Sequence, residues 1–487
     1  YTALITPTTD GAVTVDVATN VAQDAATNGN TVATQFSITA DLTEPTVVIS
    51  SMAADPINGA FTTTFTFSEA VTGFVVGDIA LSNASASNFT AISATVYTAL
   101  ITPTTDGAVT VDVATNVAQD AATNGNTVAT QFSITADLTE PTVVISSMAA
   151  DPINGAFTTT FTFSEAVTGF VVGDIALSNA SASNFTAISA TVYTALVTPT
   201  TDGAVTIDLA ANVAQDVAAN GNTAATQFSI IADLTSPTVT ITSSAANPIN
   251  GAFLTTVTFS EAVTGFTVGD ITVGNGTSSA FSATSTSVYT ALITATTDGA
   301  VTVDVTANVA QDAATNGNVA ATQFSITADL TDPTVLISST AADPINGAFT
   351  TTFTFSEAVT GFAVGDITLS NASSSDFTVT SATIYTALIT PTTDGAVTVD
   401  ILANAAQDAA TNGNTAATPF SITADLTSPT VTITSSAANP INRAFLTTVT
   451  FNEAVTGFTL GDITVGNGIA SNFASTSATV YTALITP

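Results

Sequence analysis

A tyrosine returns every 96 residues along this chain, at Tyr1, Tyr97, Tyr193, Tyr289, Tyr385 and Tyr481, and each opens a version of YTALITPTTDGAVTVDV. A period of that length constrains folding more than composition does. Solenoids and propellers repeat every ~20–50 residues because one repeat cannot bury its own apolar face. Ninety-six residues instead make a small domain, able to close a core alone. The 487 residues also exceed what one core serves, so the repeat predicts a string of separate domains. Asp-Leu-Thr-x-Pro-Thr punctuates it at Asp41, Asp137, Asp233, Asp329 and Asp425. We expect whole modules at 41–136, 137–232, 233–328 and 329–424, the C-terminal part of a module at 1–40 and the N-terminal part of another at 425–487. Because the sequence opens and closes on YTALITP, a window from a longer array is expected.

Within a module the apolar residues alternate. Phe61, Thr63, Phe65 and Phe67 face one way and Thr62, Thr64 and Thr66 the other, and Val109, Val111 and Val113 alternate with Thr110 and Asp112. Period two marks strands with one buried face. The pattern predicts seven strands, near 45–51, 59–68, 76–83, 88–94, 96–102, 107–114 and 127–136, separated by turn signals such as Pro56-Ile-Asn-Gly59, Thr105-Asp106-Gly107 and Asn124-Gly125-Asn126. Short strands with frequent turns imply an all-β, two-sheet sandwich. No stretch has helical periodicity.

Charge then excludes several functions. One basic side chain, Arg443, faces 37 acids, and the formal net charge is −36. Such a chain repels nucleic-acid phosphates and anionic lipid, so no nucleic-acid partner is expected. No apolar run reaches the ~18 residues that a membrane helix needs, so no membrane insertion is expected in this segment. The absence of cysteine forbids disulfides and thiolate metal sites. With no His, Cys or Lys, acid–base chemistry falls to carboxylates alone and nucleophiles lack their usual activating base. A glycosidase-like carboxylate pair is formally possible, but one shallow surface repeated five times offers no single deep pocket, and the chain is not expected to be an enzyme.

FTFSEAVTGFVVGDIALSN (65–83), YTALITPTTDGAVTVDV (97–113), VAQDAATNGNTVATQFS (117–133) and DLTEPTVVIS (41–50) together resemble the bacterial Ig-like repeats of large extracellular adhesins and biofilm-associated surface proteins. The resemblance covers essentially the whole chain. It implies tandem immunoglobulin-like β-sandwich modules in an extracellular, cell-surface stalk, often rigidified by calcium, with the adhesive element elsewhere.

In an Ig-like sandwich the incoming linker shares one end with the loops joining strands two to three and six to seven. That end would gather Asp41, Glu69, Asp78 and Asp120. The equivalents are Asp137, Glu165, Asp174 and Asp216; Asp233, Glu261, Asp270 and Asp312; and Asp329, Glu357, Asp366 and Asp408. Asn124 and Asn126 lie beside Asp120, while Asp106, Asp202 and Asp298 sit at the opposite end, facing the next linker, and form a second tier of candidates. Carboxylates gathered without a base must protonate, repel or bind a cation. Six to eight hard oxygens suit Ca²⁺, whereas Mg²⁺ demands a tighter octahedron. The alternative is that Asp120, Asn124 and Asn126 are ordinary turn residues and Asp41 merely starts a linker. Asp112 is assigned to a solvated strand face, and the spacing is not that of an EF-hand. The expected function is a calcium-stiffened adhesin stalk whose partners are further copies of the module. The alternative is a structural subunit of a self-associating extracellular filament, sheath or matrix.

Overall fold

The computed structural model describes residues Tyr1–Pro487. The chain forms two compact units, Tyr1–Pro237 with Gln311–Asn318, and Thr238–Ala310 with Val319–Pro487. The first begins with a hairpin of β1 (Gly11–Val15) and β2 (Phe36–Ala40). The module that follows carries β3 (Val47–Ser51), β4 (Phe61–Phe67), β5 (Ile79–Ser82), β6 (Ala84–Ala91), β7 (Val96–Pro103), β8 (Gly107–Val113) and β9 (Phe132–Ala136). They make one antiparallel sheet in the order β3-β4-β7-β6 and a second in the order β5-β8-β9. The same two sheets recur in the next module of this unit and twice more in the second unit. No helix is long and apolar enough to cross a membrane. All-β sandwich modules at a 96-residue period were expected, and this is what forms.

The alternation in the sequence is the reason. Phe61, Thr63, Phe65 and Phe67 of β4 are buried, as are Val109, Val111 and Val113 of β8, and the two rows face each other across one core. Register puts Phe65 opposite both Ile49 of β3 and Tyr97 of β7. The recurring tyrosine earns its place twice. Its ring packs edge-on against Phe67 and Phe74 and stacks on Phe89, and its buried hydroxyl donates to the Val71 carbonyl at 2.9 Å. The cores do not merge: one comprises residues between Val47 and Ala136, the next residues between Val143 and Ala232, and two more lie in the second unit.

Three expected strands shift. Residues 76–78 form a single 3-10 turn before β5, because Asp78 turns back to accept the Val75 N–H at 2.8 Å. The strand expected at 88–94 runs instead as β6, with a bulge between Ser87 and Thr90 where Asn88 takes a positive φ of 47°. The last strand starts only at Phe132, since the backbone at Thr127 and Ala129 bonds to Pro45 and Val113 rather than to a ladder. The turn into β8 does need its glycine, as Gly107 has φ 116°. By contrast Gly59 has open space where a Cβ would stand, which is why Arg443 fits at the same place in the last copy.

At the other end of the module lies what we term the base loop, residues 53–60. Ile57 pairs in parallel with Ala136, its carbonyl accepts the N–H of Asp137, and Asp55 accepts the Thr135 N–H at 3.0 Å. The outgoing linker is thus held against the loop it leaves.

One polar group sits badly in this core. Thr63, Thr159, Thr255 and Thr351 are each 0% exposed and their hydroxyls have no hydrogen-bond partner. A buried unpaired hydroxyl costs roughly 1–3 kcal/mol. Replacing all four by valine, which keeps the branched shape, should raise the thermal midpoint and shift the urea transition by roughly 1 kcal/mol per module. A lowered midpoint would mean that the hydroxyl is paired in solution. Phe65→Ala should lower local stability by about 3–5 kcal/mol.

Candidate metal centre at the module junctions

Each candidate centre is built from three loops. Asp41 opens the incoming linker, Glu69 follows β4, and Asp120 begins the Asp-Ala-Ala-Thr-Asn turn after β8. Oxygens of these three carboxylates lie within 4.8 Å of one another, and the same holds for Asp137, Glu165 and Asp216 and for Asp329, Glu357 and Asp408. The corresponding residues of the third module are Asp233, Glu261 and Asp312.

The turn is rigid because its side chains are committed to it. Asp120 Oδ1 accepts the N–H groups of Ala122 and Asn124, both at 2.8 Å, and its Oδ2 accepts the Asn124 amide at 2.8 Å. That amide also donates to the Asp41 carbonyl at 2.9 Å, tying the linker to the turn across 83 residues of sequence. Sequence reasoning missed this tie, whose only trace is the Asp-x-x-x-Asn spacing. Asn126 is buried, and its Oδ1 accepts the Val117 and Ala118 N–H groups while its Nδ2 donates to the Ala114 and Thr127 carbonyls. It shapes the loop from beneath. Gly125 is required beside it, because a Cβ there would lie 2.0 Å from Asn116 Oδ1. Asp78 does not join the three acids; it closes the 3-10 turn, and Asp174, Asp270 and Asp366 do the same in their modules.

Asp106 reaches across to the next module. Its Oδ1 accepts the Leu138 N–H and its Oδ2 the Thr139 hydroxyl, both at 2.5 Å. Asp10, Asp202, Asp298 and Asp394 make the same pair of bonds to their linkers. Each therefore braces the segment beside a cluster acid such as Asp137. Asp112, read as a strand-face residue, accepts only its neighbour's N–H, from Val113.

The electrostatics follow from this crowding. Burial first, then the charges of Asp137, Asp216 and Asp106, push the Glu165 carboxyl above its ordinary range. Glu69 is raised by burial and by Asp41, Asp120 and Asp10, and Glu357 by burial and by Asp329, Asp408 and Asp298. Asp106 moves the other way, lowered by its bonds from Thr139 and Leu138. Burial pushes Asp120 up, but the bonds from Asn124, Ala122 and Thr123 outweigh it and its pKa falls below the ordinary value. The converging donors are all carboxylate oxygens, with a fourth acid from the preceding module contributing to the field. Such a set fits a hard divalent cation.

Five successive stretches, 41–136, 137–231, 233–328, 329–423 and 425–487, match the family described as bacterial Ig-like domain. The chain belongs to that family. Among solved structures, these bacterial Ig-like repeats are similar to the tetra-tandem repeat in the extending region of a large adhesion protein, at 18% identity, covering 79% of this chain and 100% of that one with a TM-score of 0.28. Invasin, a bacterial integrin-binding protein, matches at 14% identity over 81% of this chain and 82% of its own, with a TM-score of 0.31. InvD of Yersinia pseudotuberculosis matches at 17% identity over 58% and 97%, with a TM-score of 0.26. No curated protein sequence matches the chain.

The pKa directions predict how a bacterial Ig-like array of this kind responds to pH without metal. A glutamate with a raised folded pKa stabilises the fold below its unfolded value, and that contribution is lost as pH rises through the folded value. Asp106, being lowered, stabilises above its unfolded value, and that contribution is lost as pH falls through its depressed one. In chelator at neutral pH, Glu69→Gln, Glu165→Gln and Glu357→Gln together should therefore raise the thermal midpoint by removing repulsion. The same variant should lose most of any cation-dependent rise. A lower midpoint in chelator would contradict the repulsion argument.

Proposed function

We propose that this chain is the repetitive, non-catalytic stalk of a bacterial surface adhesin, an extended extracellular array of Ig-like modules with calcium at the junctions. The observation that carries this reading is the placement of the acids. Asp137, Glu165 and Asp216 gather where one module's linker enters the next, with Asp106 of the preceding module acting on the same glutamate. A cation held by Asp41, Glu69 and Asp120, or by their equivalents from Asp137 to Asp408, would join linker, strand end and turn in one contact. Bound Ca²⁺ supplies charge neutralisation and several oxygen bonds at once. In this reading the module boundaries fall at Asp41, Asp137, Asp233, Asp329 and Asp425, and the partners are further modules of the same kind. The integrin binding of invasin belongs to that protein; a target for this chain would be met by an element beyond these repeats.

Calcium titration of the chain, followed by scanning calorimetry and small-angle scattering, tests the proposal. Binding to the native state alone stabilises it by about 2.7 kcal/mol per site at a hundredfold excess over Kd. We expect a midpoint higher by several degrees in calcium than in EGTA, a smaller rise in magnesium, and a longer maximum dimension. Asp137→Ala should remove one site's share, while Asp112→Ala should change little. Superimposable melting curves and scattering profiles in calcium and EGTA would defeat it.

A second reading, a self-associating filament or matrix, draws on one feature. The outward face of the four-stranded sheet carries Val48, Ser50, Thr62, Thr64, Thr66, Thr98 and Leu100 and no charged side chain. In so acidic a chain that is the face on which two copies repel least. Filaments formed by the repeats alone, seen by negative-stain microscopy, would favour it.

A further inference from the structure

Every complete module contains an Asn-Gly step in the base loop, as at Asn58-Gly59, Asn154-Gly155 and Asn250-Gly251, and another in the acidic turn, as at Asn124-Gly125, Asn220-Gly221, Asn316-Gly317 and Asn412-Gly413; the third module has one more, Asn275-Gly276. Asparagine before glycine can convert itself. The glycine nitrogen attacks the Asn Cγ, a C–N bond forms, and the side-chain nitrogen leaves as ammonia with the proton the glycine N–H gives up. Water then opens the five-membered imide to aspartate or isoaspartate, and one negative charge is gained. Attack requires a free side chain and a backbone able to swing towards it, which glycine allows for want of a Cβ.

The two loops differ in that freedom. In the acidic turn the Asn124 amide is held by the Asp41 carbonyl and Asp120 Oδ2, its own N–H by Asp120 Oδ1, and Gly125 is bridged to Gln119. Asn220, Asn316 and Asn412 repeat the arrangement. In the base loop the asparagines are exposed and the space around the glycine is open. Here the copies diverge. Asn154 and Asn250 each donate one bond, to the Thr315 hydroxyl at 3.2 Å and the Thr411 hydroxyl at 3.1 Å, both in the turn of the following module. Asn58 has Ala219 at the corresponding place, with no hydroxyl to meet it. The backbone there is unchanged, with φ 73° at Ala219, 72° at Thr315 and 73° at Thr411.

We propose that the base loops are sites of spontaneous asparagine deamidation, graded by the neighbouring module: Asn58 converts fastest, Asn154 and Asn250 are slowed by their threonine partners, and the acidic-turn asparagines are spared. Asn442 is spared for a different reason, since Arg443 follows it. Each event places a new carboxylate where one module meets the next, and at Asn154 and Asn250 it also removes the amide that bonds to the neighbour. The array therefore gains charge at its joints with age.

The test is to age the whole chain in mildly alkaline buffer and follow each asparagine by peptide mass mapping. Met52→Leu, at a fully exposed position, gives the Asn58 peptide a mass distinct from its otherwise identical counterpart around Asn154. We expect Asn58 to reach half conversion before Asn220, Asn316 or Asn412 converts detectably, with Asn250 between. Thr411→Ala should bring Asn250 to the rate of Asn58, and Ala219→Thr should slow Asn58 to that of Asn250. In denaturant the differences among Asn-Gly sites should vanish. Equal rates in the two loops of the folded chain, exchanges at 219 and 411 without effect, or a difference that persists in denaturant would each overturn the proposal.

Discussion

Carboxylates converge at each junction of a chain that owns one basic side chain, Arg443, so no rearrangement within the protein can neutralise them. That constraint organises the rest. The Asp-Ala-Ala-Thr-Asn turn holds Asp120 in place with backbone and amide donors, which tolerate a negative charge without cancelling it. The linker is held from both sides, by Asn124 of the module it enters and by Asp106-type acids of the module it leaves. What remains is a set of oxygens with raised glutamates among them. Either protons or an external cation must settle that charge.

Much of this was legible in residue order, for a physical reason. Strand alternation survives into the fold because one-sided burial is local, so Phe61 to Phe67 and Val109 to Val113 point as their spacing demands. The gathering of Asp41, Glu69 and Asp120 also follows from topology once a sandwich is assumed. Asp78 shows where the reasoning stops. It flanks the same loop, yet hydrogen-bonding the N–H three residues back competes with reaching the cluster, and the local bond wins. Asn126 is a second case: lying in an acidic loop says nothing of whether its amide faces outward or, as here, inward to four backbone groups. Contacts between modules, such as Asn154 with Thr315, leave no periodic signal at all.

Divergence among the copies shows which chemistry each position needs. Asp55 and its replacement Asn247 both accept the same backbone N–H, from Thr135 and Thr327, so the loop requires an acceptor oxygen and not a charge. Glu69, Glu165, Glu261 and Glu357 keep their carboxylate in every copy, although burial and neighbouring acids work against the charged form at Glu69, Glu165 and Glu357. The copies thus vary at Asp55, where the loop needs only an acceptor oxygen, and agree at the junction glutamate, where negative charge accumulates.

The separateness of the four cores has a mechanical corollary. Under tension, an array whose beads share no hydrophobic interior yields one bead at a time. Each opened bead of 96 residues pays out slack on the order of 300 Å, while its neighbours stay folded and ready to let it re-form when the load falls.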